Sequence, residues 1–134
     1  MGNQVIRVAA AILIQAGRLL ITQRGEADPL AGQWEFPGGK IEPGETPREC
    51  LERELKEELD LWISVDGFVG SHIHHYDHIS IELLGYRATV ISGSLALNEH
   101  ADYRWVTLTE LQHFELCGAD SALAGMLRKG APWE

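Results

Sequence analysis

The stretch LERELKEELDL, from Leu51 to Leu61, constrains the fold of this chain more than any other feature. It has the composition of a helix, yet it contains these acidic residues: Glu52, Glu54, Glu57, Glu58 and Asp60. Like charges three or four residues apart on a helix repel each other by about 0.2–0.5 kcal/mol per pair. If these residues lie on one helix, another favourable interaction must offset their repulsion.

The spacing of the residues gives this helix two different faces. At about 100° per residue, one stripe is apolar and consists of Leu51, Leu55 and Leu59. Beside it, carboxylates fall within an arc of roughly 100°, namely Glu54, Glu57 and Glu58. Such carboxylates can converge on one point, and hard divalent cations such as Mg²⁺ prefer oxygen ligands of this type. The alternative is a solvated acidic face, balanced by Arg48, Arg53 and Lys56.

The limits of the helix are also predicted by the sequence. Thr46 is suited to the N-cap, Pro47 to the first helical position, and Glu49 to the reciprocal bond of a capping box. The helix should therefore run from Pro47 to about Leu59. We expect it to end at Asp60 in a left-handed conformation, with slightly lower local stability, because that conformation prefers Gly or Asn.

The rest of the chain consists of predicted strands and further helical segments. Apolar and β-branched residues predict strands at Val5–Ile14, Leu19–Arg24, Trp34–Phe36, Trp62–Ile73, Ile79–Ile91 and Tyr103–Leu108. The fourth and fifth of these should form a long hairpin. Thr109 with Gln112 suggests a second helix start, and Ala119–Gly130 is typical of a C-terminal helix. Because strands and helices do not strictly alternate, this order predicts an α+β fold, a mixed sandwich.

Length and charge limit the classes of protein to which the chain can belong. Its 134 residues suit one domain with a single core, which we expect to span residues 1–134. A formal net charge of −9 disfavours duplex nucleic acid and anionic membranes as partners. The apolar run Val8–Ile14 is too short to span a membrane, and Cys50 and Cys117 lack the spacing of a zinc motif or disulfide framework. We expect a cytoplasmic monomer or homodimer with reduced thiols.

The segment WEFPGGKIEPGETP, Trp34–Pro47, changes how the acidic helix is interpreted. Gly38 and Gly39 permit a tight turn and close approach of the backbone. Together with the helix, the pattern is Gly39, five residues, Glu45, seven residues, Arg53-Glu54-Leu55, one residue, and Glu57-Glu58. This pattern resembles the Nudix box of the Nudix hydrolases, G-x5-E-x7-R-E-U-x-E-E-x-G-U, in which U is aliphatic. Leu61 fits the last position, and the single departure is Asp60, where the family has Gly.

The resemblance extends over most of the chain, and LAGQWEFPGGKIEPGETP is similar to the MutT branch of the family. It implies the Nudix fold, an α/β/α sandwich with a central mixed sheet and the box as a loop and helix. It also implies a Mg²⁺-dependent enzyme, with Mn²⁺ able to substitute. In such an enzyme water attacks a nucleoside triphosphate and releases NMP and pyrophosphate. MutT-like members act on oxidised guanine nucleotides such as 8-oxo-dGTP, or on cytidine nucleotides.

The same resemblance gives roles to residues of the box. The metal ligands would be the carbonyl of Gly38 and the carboxylates of Glu54, Glu57 and Glu58. Arg53 would orient the glutamates, and Glu45 would brace the loop. Either Glu54 or a carboxylate outside the box would deprotonate the water, and Glu99 resembles the outlying glutamate of MutT. For Glu99 an exposed loop glutamate is the alternative. The candidates for catalysis are therefore Arg53, Glu54, Glu57 and Glu99.

The candidates for the substrate site are Arg24, Trp34, Glu35, Phe36, Lys40 and Asp120. Arg24 and Lys40 suit phosphate or sugar contacts, whereas the two aromatic residues suit either an apolar wall or the core. Asp120 lies where MutT-like enzymes place a base-reading Asn or Asp, and an N-cap is the alternative. An ionised Asp only accepts hydrogen bonds, which would favour guanine or cytosine because both carry amino donors.

Two questions are left open by the sequence. The segment SHIHHYDH, residues 71–78, places His72 and His74 on one strand face, which would suit either a zinc site or a hairpin tip with polar rings. The function has alternatives as well. The chain could hydrolyse another nucleoside diphosphate-linked compound, such as a sugar nucleotide, or it could be a non-catalytic Nudix module that binds a nucleotide.

Overall fold

Strand β1 (Gln4–Gln15) lies at the centre of the fold and determines its layers. The computed structural model describes residues 4–129, and within it the segment Ala9–Leu13 of β1 is fully buried. Side chains alternate between the two faces of a strand. Ala9, Ala11 and Leu13 accordingly enter one core cluster, and Ala10 and Ile12 enter a second one. One strand therefore supplies both cores of a three-layer sandwich.

The remaining elements follow β1 in the expected order. The strands are β2 Arg18–Gln23, β3 Trp34–Glu35, β4 Gly38–Lys40, β5 Leu61–His75, β6 Ile79–Gly93 and β7 Asp102–Val106. The helices are α1 Pro47–Leu59 and α2 Gly118–Lys129, with a short 3₁₀ helix at Glu110–His113. Helix α1 packs on the first core cluster and α2 on the second. The prediction of an α+β fold, an α/β/α sandwich with a central mixed sheet, is confirmed.

The sheet is mixed, with the strand order β3-β2-β1-β6-β5. Strand β1 pairs in parallel with β6 and antiparallel with β2 and β4, and β7 pairs with β2. Strands β5 and β6 form the predicted long hairpin, with a register from Leu61 opposite Gly93 to His75 opposite Ser80. The hairpin extends further than Trp62–Ile73 and Ile79–Ile91, because backbone pairing continues through polar residues.

Helix α1 has the limits that the sequence predicts. The Thr46 side chain accepts a hydrogen bond from the Glu49 N–H, and the Glu49 carboxylate accepts one from the Thr46 N–H. The helix ends at Asp60, which has φ 56° and ψ 35°, in the left-handed region. Leu51, Leu55 and Leu59 are fully buried, and each contributes about 1.5–3 kcal/mol. That exceeds the repulsion between neighbouring carboxylates, so burial decides the conformation.

Two sequence expectations are wrong in detail. Gly38 and Gly39 do not form only a turn, because they begin β4, which pairs with Val8–Ala10 of β1. The second helical segment starts after Thr109, as predicted, but it is a 3₁₀ helix, and the side-chain bonds that cap it come from Thr107 rather than Thr109. Thr107 Oγ1 accepts from the Glu110 N–H at 3.1 Å, and Glu110 Oε1 accepts from the Thr107 N–H at 2.8 Å. Thr109 itself makes no side-chain cap bond.

Helix α2 begins one residue before the predicted Ala119, at Gly118, and is described to Lys129. The predicted last residue, Gly130, lies outside the described residues. Basic residues occupy its last turn, as expected from the helix dipole. Among residues 4–129, no helix has both the length and the apolar character needed to cross a membrane.

The left-handed end of α1 gives a stability test. A residue with a Cβ in this region destabilises the folded state by about 1–2 kcal/mol. Glycine removes that cost, but it also raises the conformational entropy of the unfolded chain, which offsets about 0.5–1 kcal/mol of the stabilisation. Asp60→Gly should therefore raise the free energy of unfolding by about 0.5–1 kcal/mol, measured by urea denaturation. Asp60→Ala should lower the free energy of unfolding, because alanine keeps a Cβ and lacks a polar side chain that can form local hydrogen bonds. Equal stability of the two variants would contradict the assigned conformation.

Candidate active site

Arg53 of α1 connects the carboxylates of the helix to the loop before it. Its Nε donates to Glu45 Oε2 at 2.7 Å, and its Nη2 donates to Glu45 Oε1 at 2.9 Å. Its Nη1 donates to Glu54 Oε2 and to Glu57 Oε1, each at 3.1 Å. These hydrogen bonds raise the pKa of Arg53, and the bond to Glu45 has the largest effect. The structure therefore brings together the residues that the resemblance implied.

Glu45 in turn closes the loop on itself. Its Oε1 accepts from the Glu42 N–H at 2.9 Å, besides its two bonds from Arg53. The hydrogen bond from Arg53 is the main cause that lowers the pKa of Glu45 to about 2. Glu45 therefore stays ionised at neutral pH and braces the loop against α1.

The glycine pair allows α1 to approach the sheet closely. A Cβ on Gly38 would collide with the carbonyl oxygen of Ala9, and a Cβ on Gly39 would collide with the carboxylate of Glu54. No residue with a Cβ fits at either position unless the backbone or the carboxylate moves. The pair thus places the Glu54 carboxylate directly against β4, beside Gly39.

Glu58 and Glu99 meet beside this point. The Asn98 N–H donates to the Glu58 carbonyl at 3.1 Å, and Asn98 Nδ2 donates to the Glu57 carbonyl at 2.8 Å. This loop brings Glu99 to Glu58. Burial, followed by hydrogen bonding and charge from Glu54 and then from Glu99, raises the pKa of Glu58 to about 9. The carboxyls are crowded enough to retain a proton at neutral pH.

This crowding is what a divalent cation site requires of its donors. Glu54, Glu58 and Glu99 supply oxygen atoms only, the type that Mg²⁺ and Mn²⁺ prefer. A cation among them would favour the ionised form of Glu58, against the burial and like charge that raise its pKa. Glu57 is the more peripheral of the predicted ligands, since its side chain is 59% exposed and bonded to Arg53. The oxygen donors therefore fit the expected metal in type, with Glu57 at their edge, although one oxygen from each of Glu54, Glu58 and Glu99 does not lie within 4.8 Å of the other two in this arrangement.

The acidic cleft opens in front of these carboxylates and has a volume of about 450 Å³. It is lined by Arg24, Gly25, Ala27, Asp28, Pro29, Glu35, Gly38, Glu58, Glu99 and His100. A second pocket of about 430 Å³ adjoins it, and Arg24 and Glu35 line both. The second pocket is also lined by Val8, Leu30, Lys40, Tyr76, Ile81, Leu83, Cys117, Ala119 and Asp120. Together they give a charged compartment next to a more apolar one.

Arg24 and Glu35 form the boundary between the two compartments. Arg24 Nη1 donates to Glu35 Oε1 at 2.6 Å, and its Nε and Nη2 donate to the two oxygens of Asp28 at 2.8 and 2.6 Å. His100 Nε2 lies 3.1 Å from Glu35 Oε2. Arg24 is therefore held by carboxylates on both sides, so a phosphate or sugar would meet it in a fixed orientation.

Asp120 lines the second pocket and is almost fully buried. It belongs to the first turn of α2, so the N-cap alternative is wrong, and its Oδ2 accepts from the Phe36 N–H at 2.9 Å. Burial, followed by the charge of Glu35, raises the pKa of Asp120 to about 8. This shift favours the neutral carboxyl in the free protein at neutral pH, whereas the sequence argument took Asp120 as ionised. For a neutral Asp120, a preference for bases that carry amino donors no longer follows.

The predicted aromatic walls lie elsewhere. Phe36 is buried in the second core cluster, and Trp34 packs edge-on against Phe114 with ring centroids 5.2 Å apart. Neither lines the acidic cleft or the second pocket. Their strand turns both side chains towards the second core cluster, so the core alternative describes them here. A substrate role for Trp34 and Phe36 stays a prediction. Lys40 does line the second pocket, as expected of a substrate contact.

The histidine segment contributes a hairpin rather than a compact metal group. The rings of His72 and His74 lie 5.7 Å apart, and His74 lies 4.6 Å from Tyr76. Among the described residues, the one group of three metal-ligating atoms within 4.8 Å of one another is formed by Glu35, Cys117 and Asp120, in the second pocket. The hairpin-tip alternative is confirmed.

Sequence reasoning missed several residues of the two pockets. His100 follows Glu99 directly and Tyr76 lies in the histidine segment, but only the folded chain places them beside Glu35 and Asp120. Cys50 and Cys117 are free and buried, as expected, and burial raises the pKa of both thiols to about 12. Neither thiol is a candidate nucleophile.

Comparison with known proteins agrees with this geometry. The NUDIX domain family matches residues 5–124. This chain belongs to the Nudix family. Nudix relatives include the CTP pyrophosphohydrolase of Escherichia coli strain K12, 37% identical over 120 residues, with 90% of this chain and 89% of the relative covered. The chain is a Nudix hydrolase.

Further Nudix relatives extend the comparison. A protein of Mycobacterium tuberculosis named putative 8-oxo-dGTP diphosphatase 2 is 37% identical over 122 residues, covering 88% of this chain and 83% of the relative. The solved structure of the E. coli ORF135 protein has a TM-score of 0.83 at 35% identity, covering 98% of this chain and 96% of that one. A MutT protein of Methanosarcina mazei has a TM-score of 0.86 at 23% identity, covering 98% and 99%, and supports the fold.

The burial of Asp120 in this Nudix hydrolase predicts a pH-dependent change in stability. Its folded-state pKa of about 8 is above its ordinary value of 3.8, so the folded protein binds more protons than the unfolded chain between these pH values. The wild type should lose stability as pH rises through this window. Asp120→Asn should remove this part of the loss, so its stability relative to the wild type should increase with pH in urea denaturation. A difference that is constant with pH would contradict the shift.

Proposed function

We propose that this Nudix hydrolase is a Mg²⁺-dependent nucleoside triphosphate pyrophosphohydrolase that converts NTP and water to NMP and pyrophosphate. Its substrates are oxidised guanine nucleotides or cytidine nucleotides. The observation that carries the proposal is the crowding of Glu54, Glu58 and Glu99 at one end of the acidic cleft, next to a second pocket large enough for a base. Relatives named for 8-oxo-dGTP and CTP support the substrate class.

The metal ligands in this proposal are the Gly38 carbonyl and the box carboxylates Glu54, Glu57 and Glu58. Bound Mg²⁺ would neutralise the charge between the phosphates and α1 and would lower the pKa of a coordinated water. Arg53 holds Glu54 and Glu57 in place, and Glu45 holds Arg53. Glu99, pressed against Glu58, is the candidate that takes the proton from the attacking water, with Glu54 as the alternative.

The substrate contacts follow from the lining of the two compartments. Arg24 and Glu35 lie between phosphates and base, and Lys40 lies at the rim of the second pocket. Asp120 reaches the base edge from the closed end. A protonated Asp120 both donates and accepts hydrogen bonds, so it suits bases that present a donor next to an acceptor.

A pyrophosphate-release screen tests the proposed activity. Purified protein with Mg²⁺ is incubated with normal and oxidised nucleoside triphosphates, and with ADP-ribose and sugar nucleotides as an arm for other diphosphate compounds. We expect turnover of one or more triphosphates with pyrophosphate as product. Glu58→Gln should lower kcat by about 100-fold or more, since it removes a carboxylate that would be ionised beside the bound ion.

Glu52→Gln is the matched control for this variant. Glu52 lies on the same helix and is exposed, so its substitution removes one carboxylate without touching the cleft. It should keep wild-type kcat. The proposal fails if no triphosphate is turned over, or if both variants lose activity equally.

Asp120→Ala tests the base site separately. It should change the order of kcat/KM among triphosphates, because the group that meets the base edge is lost. Its effect on inorganic triphosphate, which has no base, should be small. An unchanged order of substrates would remove Asp120 from the proposed base site.

A further inference from the structure

His100 lies between the metal end of the acidic cleft and the boundary of the second pocket. Its side chain is only 8% exposed, and its Nε2 lies 3.1 Å from Glu35 Oε2 and 3.7 Å from Glu58 Oε2. Glu35 belongs to β3 and Glu58 to α1, which are distant in sequence. One imidazole nitrogen therefore contacts a carboxylate of each compartment.

The loop that carries His100 is fixed on both sides. Towards α1, the Ala96 N–H donates to the Leu59 carbonyl at 3.0 Å, and Asn98 donates to carbonyls at the end of the helix. Towards the sheet, the Ala101 N–H donates to the Gln23 carbonyl at 2.9 Å. The imidazole is thus positioned by the backbone of its own loop before any ligand binds.

The hydrogen bonds of Glu35 explain what this position does. Arg24 Nη1 bonds one oxygen of the carboxylate at 2.6 Å, and His100 Nε2 contacts the other. A carboxylate held at both oxygens has a fixed plane. Because the partner of Nε2 is a carboxylate oxygen, we assign the hydrogen to this nitrogen, while the buried Nδ1 has no hydrogen-bond partner among residues 4–129. The contact at Nε2 is therefore the one through which His100 acts.

We propose that His100 is a positioning residue that holds Glu35 and Glu58 in one geometry, so that the pocket for the nucleoside and the site for the divalent ion are set together. The proposal rests on the proposed function, since it assigns these carboxylates to substrate and metal. Loss of the Nε2–H would release the plane of Glu35 and leave two neighbouring carboxylates without the donor between them. Both nucleotide selection and metal affinity should then change.

Two amide variants separate this role from simple packing. The amide nitrogen of Gln reaches the position of histidine Nε2, whereas that of Asn matches Nδ1. His100→Gln should therefore stay within a few-fold of wild type. His100→Asn and His100→Leu should lower kcat/KM by about 10-fold to 100-fold, the usual range for groups that orient metal ligands. His113→Gln, at an exposed histidine of the 3₁₀ helix, is the control and should match the wild type.

Metal affinity is measured without nucleotide, by Mn²⁺ titration followed by electron paramagnetic resonance. His100→Asn and His100→Leu should bind Mn²⁺ more weakly than His100→Gln and wild type. Thermal unfolding of each variant shows which are folded, and if His100→Leu is not, the comparison of Gln with Asn decides. Equal Mn²⁺ affinity and equal kcat/KM for Gln and Asn would overturn the proposal.

A double-mutant cycle with Glu35→Gln tests the contact itself. In the Glu35→Gln background, His100→Leu should cost at least several-fold less in kcat/KM than in the wild type, because the partner of Nε2 is already altered. Strictly additive effects would overturn the proposed contact. A wild type that hydrolyses no triphosphate would refute the proposed function instead, while the Mn²⁺ measurements would still decide the role of His100.

Discussion

The guanidinium of Arg53 is the interaction on which the site depends. It bonds both oxygens of Glu45 in the loop and one oxygen each of Glu54 and Glu57 in the helix. Its Nη2 also reaches the carbonyl of Lys40 at 3.3 Å. Isolated exposed ion pairs contribute only about 0–1 kcal/mol, so its importance lies in geometry. One planar cation fixes a loop, a strand and a carboxylate helix relative to one another.

The acidic helix is a compromise between folding and chemistry. Buried leucines on one side of α1 supply the free energy that holds it against the sheet, and the carboxylates on the other side work against that energy. Burial and like charge raise the pKa of Glu58 to about 9, so part of the conflict is resolved by protonation. A bound divalent cation would neutralise the remaining negative charge. A ligand that binds only the folded state also stabilises that state. The same crowding thus disfavours the metal-free protein and prepares it for metal.

Local sequence patterns predicted what depends on neighbours in sequence. The capping box at Thr46, the leucine stripe of α1 and the left-handed end at Asp60 are all determined within a few residues, and each is confirmed. The path of β4 was missed because a glycine pair is equally consistent with a turn, and only pairing with β1 makes it a strand. His100 was missed for a similar reason, because its environment is created by contacts across more than sixty positions, as in the His100–Glu35 contact.

Asp120 shows how tertiary burial changes the chemistry that a residue type suggests. As an ionised group it could only accept hydrogen bonds, but in the second pocket its pKa of about 8 keeps it protonated in the free protein. A protonated carboxyl donates through one oxygen and accepts through the other. Guanine and cytosine each present an acceptor beside a donor on the edge used for base pairing, so both can meet it. If Asp120 meets the base as we propose, discrimination between purine and pyrimidine comes from the shape of the pocket, which Tyr76 and Leu83 help to line.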